Sequence, residues 1–540
     1  MGLSTVAAAV SVARFHQGVA WITVAACGLS WVPSGLRWLR VAQREHYLAG
    51  SSTRFAARWW TITPVNRAMA ATAVAAGVIS VWRPLAGILT GLMVAAGPLG
   101  LSLKGRTAPL AWTRRLRTLA GVWAVMEILV VVIGLVTGLA SVLTVVAALA
   151  VPLLMDAACV VTAPIERRLS EHFVADAQRR LQRVAPTVVG ITGSYGKTST
   201  KNHLVHLVEG TSSVVATPAS FNNRAGLARA INEHLTDGTE VFIAEMGTYG
   251  LGEIADMCRW CPPRVAVITA IGPVHLERFG TEDRIVEAKS EIAVPARDVV
   301  IQVDDPRLAA LADRLAAEGK HMVRCSASDR SADVSVIREA GTTRVTVTIG
   351  GETVATGVEL PTGVQPANLA CAIGAARSVG VETSSIVSTL ADLPAVGHRL
   401  QAVRSPSGFT ILDDTYNSNP AGARAALAAL GELEGPGAAD PGGGATGTTA
   451  VVTPGMVELG SRQRAENYSF GSEIAGVADN LVVVGRTNRR ALEAGAASNG
   501  SARMAVTWVA NRPQAVAWVR DHLGPGDAVL YENDLPDHYP

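Results

Sequence analysis

Two hydrophobic patterns divide the chain. Through the first third, apolar positions run on almost without interruption. The stretches 18–36, 66–82, 84–103, 119–138 and 140–162 each approach the ~20 apolar residues that a helix needs to cross a bilayer. Arg83-Pro84 separates the second from the third, and Leu3 to Ala13 is too short to span. From about residue 186 the apolar runs shorten to a few Val/Ile-rich positions: Val214-Val-Ala, Val241-Phe-Ile-Ala, Val265-Ala-Val-Ile-Thr and Val299-Val-Ile-Gln-Val. Ala-rich helical patterns alternate with them. The pattern predicts an α-helical transmembrane region of about five helices over 1–163, then α/β architecture with a mainly parallel sheet.

Between the two regions, Ile165, Leu169, Phe173, Ala177 and Leu181 recur every four residues, which predicts an amphipathic helix over 164–185. Its arginines suit an anionic lipid surface; packing on the domain that follows explains the pattern equally well. A central α/β domain is expected over 186–396 and a smaller one over 397–540. The second contains Phe409-Thr-Ile-Leu, Val451-Val-Thr, Leu481-Val-Val-Val and Ala528-Val-Leu-Tyr as strands, with a Gly/Pro-rich surface insertion near 435–449.

Charge sets the orientation of the first third. Arg37, Arg40, Arg44, Arg54 and Arg58 cluster in one inter-span segment, and Lys104, Arg106, Arg114, Arg115 and Arg117 in another. Both are expected to be cytoplasmic, as is everything after about 163, so the chain reads as a multi-pass cell-membrane protein with its N-terminus outside. Net charge is +2, which does not suggest a nucleic-acid partner. Glu127 and Asp156 lie inside apolar runs; such acids either serve a function, such as a proton path, or bond a neighbouring helix. Cys258 and Cys261 form one C-x-x-C with no second pair nearby, so buried thiols are favoured over a zinc site.

The chemistry starts at Thr187-Val-Val-Gly-Ile-Thr-Gly-Ser-Tyr-Gly-Lys-Thr-Ser-Thr200, a buried-strand run breaking into a glycine turn before a helix start. Gly193 and Gly196 let backbone N–H groups approach phosphates, Lys197 supplies charge, and Thr198 offers a hydroxyl to Mg²⁺. Glu245 and His275 stand at the ends of later strands, where an α/β sheet collects ligands, and suit Mg²⁺ against triphosphate oxygens.

The T-G-S-Y-G-K-T-S-T run, Ser220-Phe-Asn-Asn223, Glu245-Met-Gly, Gly272-Pro-Val-His275, Ala288-Lys-Ser-Glu291, Arg399 and Asp413-Asp-Thr-Tyr-Asn-Ser-Asn-Pro420 occur in an order that resembles the Mur ligases over about 187–535. The D-D-x-Y-N-x-N-P run and the later E-L-G resemble the branch that adds D-alanyl-D-alanine to UDP-N-acetylmuramoyl-tripeptide. The resemblance implies a P-loop central ATPase domain and a Rossmann-like C-terminal domain. It also implies an ATP- and Mg²⁺-dependent ligase that joins a carboxylate donor to an amine acceptor through an acyl phosphate, in cell-envelope precursor synthesis. It assigns nucleotide contacts to Gly193, Ser194, Gly196, Lys197, Thr198, Ser199, Asn368, Arg399, Asp414 and Asn417, with Asn368 facing the adenine. Thr198, Glu245 and His275 become metal ligands, Lys197, His275, Lys289 and Arg399 the catalytic set, and Asn222 and Asn223 face the acyl donor. Lys289 matches a position carbamylated in some relatives.

Departures fall on the substrate side. Membrane spans stand where these ligases carry a UDP-binding domain. Pro454-Gly-Met-Val-Glu-Leu-Gly replaces G-D-M-x-E-L-G, Asn467 replaces a His, and Glu532-Asn-Asp-Leu-Pro-Asp537 replaces K-G-S. The donor is therefore open between UDP-linked and lipid-linked muramoyl-peptide, and the acceptor between an amino acid and a dipeptide. A membrane-bound amino-acid polymer synthetase and an ATP-driven transport or sensor protein are the alternatives.

Overall fold

The computed structural model describes residues 3–103, 105, 109–218, 221–339, 342, 344–361, 363–394, 401–415, 419–433, 447–499, 504–535 and 538–539, with side chains from residue 18 onward. It forms two compact units, Met1–Leu169 with Leu535–Pro540, and Ser170–Asp534.

The first unit is helical: α1 (Leu3–Arg44), α2 (Ser51–Ile62), α3 (Pro64–Ile79), α4 (Ala86–Ala96), α5 (Arg114–Thr137), α6 (Ala140–Leu149) and the first half of α7 (Val151–Val184). The expected five spans are not what it contains. Among the described residues, two helices are long and apolar enough to cross a membrane, Gly18–Arg44 and Arg114–Thr137; counting each bent pair as one span gives up to four. The run 66–82 yields only α3, which ends at Ile79 after 16 residues; Thr63 is extended before Pro64, as a residue preceding proline prefers, so α2 and α3 meet at 113°. Gly97 is extended before Pro98 and stops α4 after 11 residues, about 16 Å, well short of a bilayer. Pro152 suits a first helical turn, and the run 140–162 breaks at 79° into α6 and α7.

Buried polar groups in this unit satisfy helix ends. The Arg37 guanidinium donates to the carbonyls of Ala95 (2.7 Å), Ala96 (3.1 Å) and Gly97 (3.0 Å), placing positive charge at the C-terminus of α4. Asp156 accepts from the backbone N–H groups of Ser52 (3.0 Å) and Thr53 (2.8 Å), capping α2 from another helix. Glu127 accepts from the Trp123 indole one turn earlier at 3.1 Å. The end of the chain joins this unit: Glu45 contacts His538 (2.9 Å) and Arg54 (2.9 Å), and the Trp59 indole donates to the His538 carbonyl (2.7 Å). Val125, Ile128, Leu129, Val132, Ile133 and Val136 of α5 face outward.

The second half of α7 belongs to the other unit. Val174, Ala177 and Leu181 are buried in its core, and Arg180 donates to the carbonyls of Leu235 (2.6 Å) and Asn232 (2.9 Å). Of the two readings of the amphipathic pattern, the later positions follow the connecting-helix one; Ile165 and Leu169 stay exposed.

The larger sheet comprises β1 (Thr187–Thr192), β2 (Val214–Ala216), β3 (Val241–Glu245), β4 (Val265–Ile268), β5 (Asp298–Gln302), β6 (His321–Ser326), β7 (Val334–Arg338), β8 (Arg344–Ile349) and β9 (Glu352–Glu359), in the order β2-β3-β1-β4-β5-β6-β7-β8-β9. It is parallel as far as β7; β8 and β9 add antiparallel hairpins at one edge. The smaller sheet orders β10 (Gln401–Arg404), β11 (Thr410–Asp414), β12 (Thr449–Thr453), β13 (Asn480–Val484), β14 (Ala505–Val509) and β15 (Ala528–Glu532) as β10-β11-β15-β12-β13-β14, with only β10 antiparallel. In open α/β sheets of this kind, ligands collect at the carboxyl ends of the strands. Of the expected insertion at 435–449, residues 435–446 lie outside the described residues, and Thr449 already begins β12.

Candidate active site

Strand β1 is buried along Val188–Thr192, as a central parallel strand must be, and delivers the chain to Gly193 at the carboxyl edge. A Cβ at Gly193 would overlap the Thr269 hydroxyl, and one at Gly196 the Asn368 amide oxygen; Gly196 also has φ 80°. Glycine is therefore required at both positions for the loop to close beneath α8 (Lys197–Glu209). A helix N-terminus carries N–H groups with no partner inside the helix, and partial positive charge. Ser194 N–H donates to the Ala270 carbonyl (2.6 Å) and its hydroxyl to the Gly272 carbonyl (3.3 Å), tying the loop to the chain after β4. Lys197 Nζ donates to the Gly193 carbonyl (2.7 Å), curled over the loop it would serve.

Glu245, the last residue of β3, is almost fully buried beside this loop. Its Oε2 accepts from Thr198 Oγ1 (3.0 Å) and pairs with Lys201 Nζ (3.3 Å), and its Oε1 accepts from Asn222 Nδ2 (3.3 Å). Lys201 also donates to the Thr217 carbonyl (2.8 Å), and the Thr217 hydroxyl accepts from Glu245 N–H (3.1 Å). Lys201 and Thr217 escaped the sequence reading. Lys201 lies one turn beyond Lys197 on α8, but nothing in its spacing announces that its ammonium is buried. The two asparagines divide: Asn222 turns to Glu245, whereas Asn223 caps the helix Arg224–His234 by accepting from Gly226 N–H (2.9 Å).

His275 and Lys289 form a second group. His275 occupies left-handed backbone space (φ 60°), as does Glu458 (φ 63°), and the Glu458 carboxylate contacts His275 Nδ1. Arg278 lies 3.7 Å from the same carboxylate and 4.4 Å from the Tyr249 ring, which meets the imidazole edge-on at 4.9 Å. Non-glycine residues held in this region cost about 1–3 kcal/mol each and cluster at functional sites. Burial lowers the His275 pKa against the opposing pull of Glu458. Lys289, on the helix Glu282–Ser290, is buried; desolvation first, then the Lys197 charge, holds its amine well below the usual lysine range.

In the C-terminal domain, Asp414 ends β11 in register with Glu532 of β15. Glu532 is fully buried, accepts from the Thr453 hydroxyl (2.5 Å), and is pushed up to about 8 by burial, with Asp414 adding to the rise. Asn533 donates to the Gly455 carbonyl (2.6 Å). Asn467 is also buried, holding Met456 through both its N–H (2.8 Å) and its carbonyl (2.9 Å). Three of the residues that depart from the family pattern, Asn467, Glu532 and Asn533, thus brace the 453–456 loop. Asn368 packs on Gly196 of the phosphate loop, and Ser199 is buried in the first turn of α8. Arg399 and Asn417 lie outside the described residues. Cys258 and Cys261 are buried free thiols, Cys258 pushed up to about 12 by burial.

The donor set fits Mg²⁺ with a nucleotide: a hydroxyl and a carboxylate already paired at a phosphate loop, with phosphate and water oxygens left to complete the shell. Comparison with known proteins covers the same region. The Mur ligase middle domain matches residues 191–376, and the Mur ligase, glutamate ligase domain, matches 398–531. The UDP-N-acetylmuramoyl-tripeptide–D-alanyl-D-alanine ligase of Mycobacterium leprae is 34% identical over 366 residues, 64% of this chain and 70% of that one. Its namesake in Bacillus subtilis is 28% identical over 360 residues, 66% and 75%. Among solved structures, the MurF ligase of Thermotoga maritima in complex with ADP superimposes with a TM-score of 0.55 at 28% identity, covering 67% of this chain and 80% of that one.

Proposed function

We propose, on the premise that this chain belongs to the Mur ligase family of ATP-dependent amide-forming ligases, that it extends a muramoyl-peptide at the membrane. The donor carboxylate attacks the γ-phosphorus of ATP and ADP leaves. The acceptor amine then attacks the acyl phosphate carbon; phosphate leaves, the amine loses a proton, and an amide remains. The observation that carries this reading is the buried Glu245 accepting from the phosphate-loop Thr198.

Each residue has a task in that scheme. The loop N–H groups from Tyr195 to Thr198 cradle the phosphates while the Ser194 N–H stays on the Ala270 carbonyl, and Lys197 leaves the Gly193 carbonyl to neutralise the transferring group. Thr198 and Glu245 would hold Mg²⁺, and His275 a second ion; when bound, the metal would supply further positive charge to the phosphate oxygens. Lys201 and Asn222 fix the Glu245 carboxylate. Lys289, an amine with depressed basicity, is suited to add CO₂ and release a proton, giving a carbamate. Asp414 faces the nucleotide from the C-terminal domain, with Arg399 and Asn417 assigned beside it by the family resemblance.

The outward apolar face of α5 and the two helices of membrane-crossing length support an anchor in the cell membrane, with catalysis on the cytoplasmic side. A helical unit in place of a UDP-binding domain favours a lipid-linked donor. Because Glu532 and Asn533 are turned into the fold, the acceptor pocket differs from one built on K-G-S. Amine-dependent ADP release by the full chain in detergent tests the reading. UDP-muramoyl-tripeptide and a lipid-linked muramoyl-peptide are offered separately, each with D-alanyl-D-alanine or single amino acids. Turnover only with the lipid form is the expected result; turnover with the UDP form means an orthodox ligase on a tether; ADP release without amine dependence overturns the ligase reading.

A further inference from the structure

His275 and Glu458 come from different catalytic domains, and each departs from ordinary backbone space at the point where they meet. The loop carrying Glu458 is fixed. Asn467 holds Met456 at both its N–H and its carbonyl, Asn488 donates to the carbonyls of Pro454 (3.0 Å) and Met456 (2.9 Å), and Asn533 donates to Gly455. Just beyond it, Arg462 pairs with Glu282 of the central domain at 2.6 Å. On the other side, the imidazole is flanked by Tyr249, and Arg278 reaches the same carboxylate. We propose that Glu458 is a positioning residue for His275. It engages Nδ1 and leaves Nε2 as the nitrogen offered to the nucleotide and its metal, so that docking of the C-terminal domain completes the central domain's site. A carboxylate on the far nitrogen of a metal-binding histidine fixes both tautomer and ring orientation. The inference rests on the ligase reading above.

Glu458→Gly is the informative variant. Its backbone angle (φ 63°) suits glycine, so the substitution removes the carboxylate while relieving strain rather than adding it. In the full chain in detergent with ADP, Mn²⁺ binding followed by electron paramagnetic resonance is expected to weaken about 10–100-fold in Glu458→Gly. Amine-dependent kcat should fall comparably, with the ATP KM within about threefold and the unfolding temperature no lower than wild type. Glu458→Gln, which keeps an acceptor for Nδ1–H, should stay within about threefold of wild type, and Glu458→Gly should add nothing to His275→Ala. Unchanged Mn²⁺ affinity in Glu458→Gly, or losses that add to those of His275→Ala, would overturn the proposal. Lys197→Ala runs beside these variants. If it abolishes turnover while Glu458→Gly binds Mn²⁺ normally, the positioning role alone fails; if Lys197→Ala turns over normally, the ligase site fails and the inference with it.

Discussion

The two units bury acids in different company. In the α/β unit, Thr198, Lys201 and Asn222, from two separate segments, converge on the one carboxylate of Glu245 at a strand end next to a phosphate loop. In the helical unit, Asp156 answers two backbone N–H groups, Glu127 an indole on its own helix, and Glu45 the end of the chain. Burial alone therefore says little about function. A buried acid on which side chains from separate segments converge beside a phosphate loop belongs to chemistry, whereas one that caps a helix or answers a single neighbour within its own unit belongs to architecture.

The largest effect that separates the two is expected at the phosphate loop. Lys197→Ala removes the only loop side chain with a full positive charge and should abolish amine-dependent ADP formation, a loss of about 10³-fold or more. Its unfolding temperature should stay close to wild type, since the ammonium donates within its own loop, to the carbonyls of Gly193 (2.7 Å) and Ser194 (3.5 Å). Substantial turnover in this variant would remove the chemistry from the loop.

A smaller effect concerns Glu532, an acid inside the α/β unit whose hydrogen bond ties β15 to β12 rather than serving the ATP site. Its pKa rises from about 4.5 unfolded to about 8 folded, so the folded state holds a proton that the unfolded state has released. That contribution to stability is full below about pH 4.5 and is lost as pH rises through about 8, with a slope of up to about 1.4 kcal/mol per pH unit. Denaturant unfolding of wild type and Glu532→Gln across pH 5–8 reads the difference directly. Wild type should lose stability relative to the variant as pH rises, and a constant difference would mean that Glu532 is ionised throughout.

The strands and the phosphate loop were legible because burial on both faces of a parallel sheet leaves short Val/Ile runs, and a Gly-Lys-Thr turn after one of them has few other uses. Most strand limits fall within a residue or two of the apolar runs. The β7–β9 hairpins were not read, although Arg344-Val-Thr-Val-Thr-Ile alternates plainly, because an antiparallel edge on a parallel sheet has to be looked for separately; β6, β10 and β14, half-buried or edge strands without a continuous Val/Ile run, were not read either. The spans were miscounted for a different reason. Hydropathy sums over Pro98 and Pro152 as though they were neutral, whereas each sets the backbone at the point where a helix stops or turns. Lys201, Thr217 and the Glu458–His275 contact were out of reach, since each depends on tertiary approach between segments far apart in the chain.

Within the helical unit, Asp156→Ala should be the more damaging of two substitutions. It leaves the Ser52 and Thr53 N–H groups without their cap and should cost about 0.5–2 kcal/mol of stability in detergent, lowering the unfolding temperature with little change in kcat per folded molecule. A kcat loss larger than the loss of folded protein would tie α2 to catalysis.

The smallest effect is expected at Glu127, where the comparison is sharpest. Its Oε1 accepts from Trp123 at 3.1 Å, and a glutamine carbonyl accepts from the same indole with no change of shape. If Glu127 belongs to architecture, Glu127→Gln keeps ADP formation within about twofold of wild type, and membrane insertion and unfolding temperature are preserved. If a titrating acid at this position drives a membrane step coupled to ATP use, removing its proton-carrying ability should depress ADP formation as severely as Lys197→Ala does. Measuring both variants in one detergent preparation sets the two units side by side: a large loss at Lys197 with none at Glu127 leaves the chemistry in the α/β unit, and equal losses would make the helical unit part of the engine.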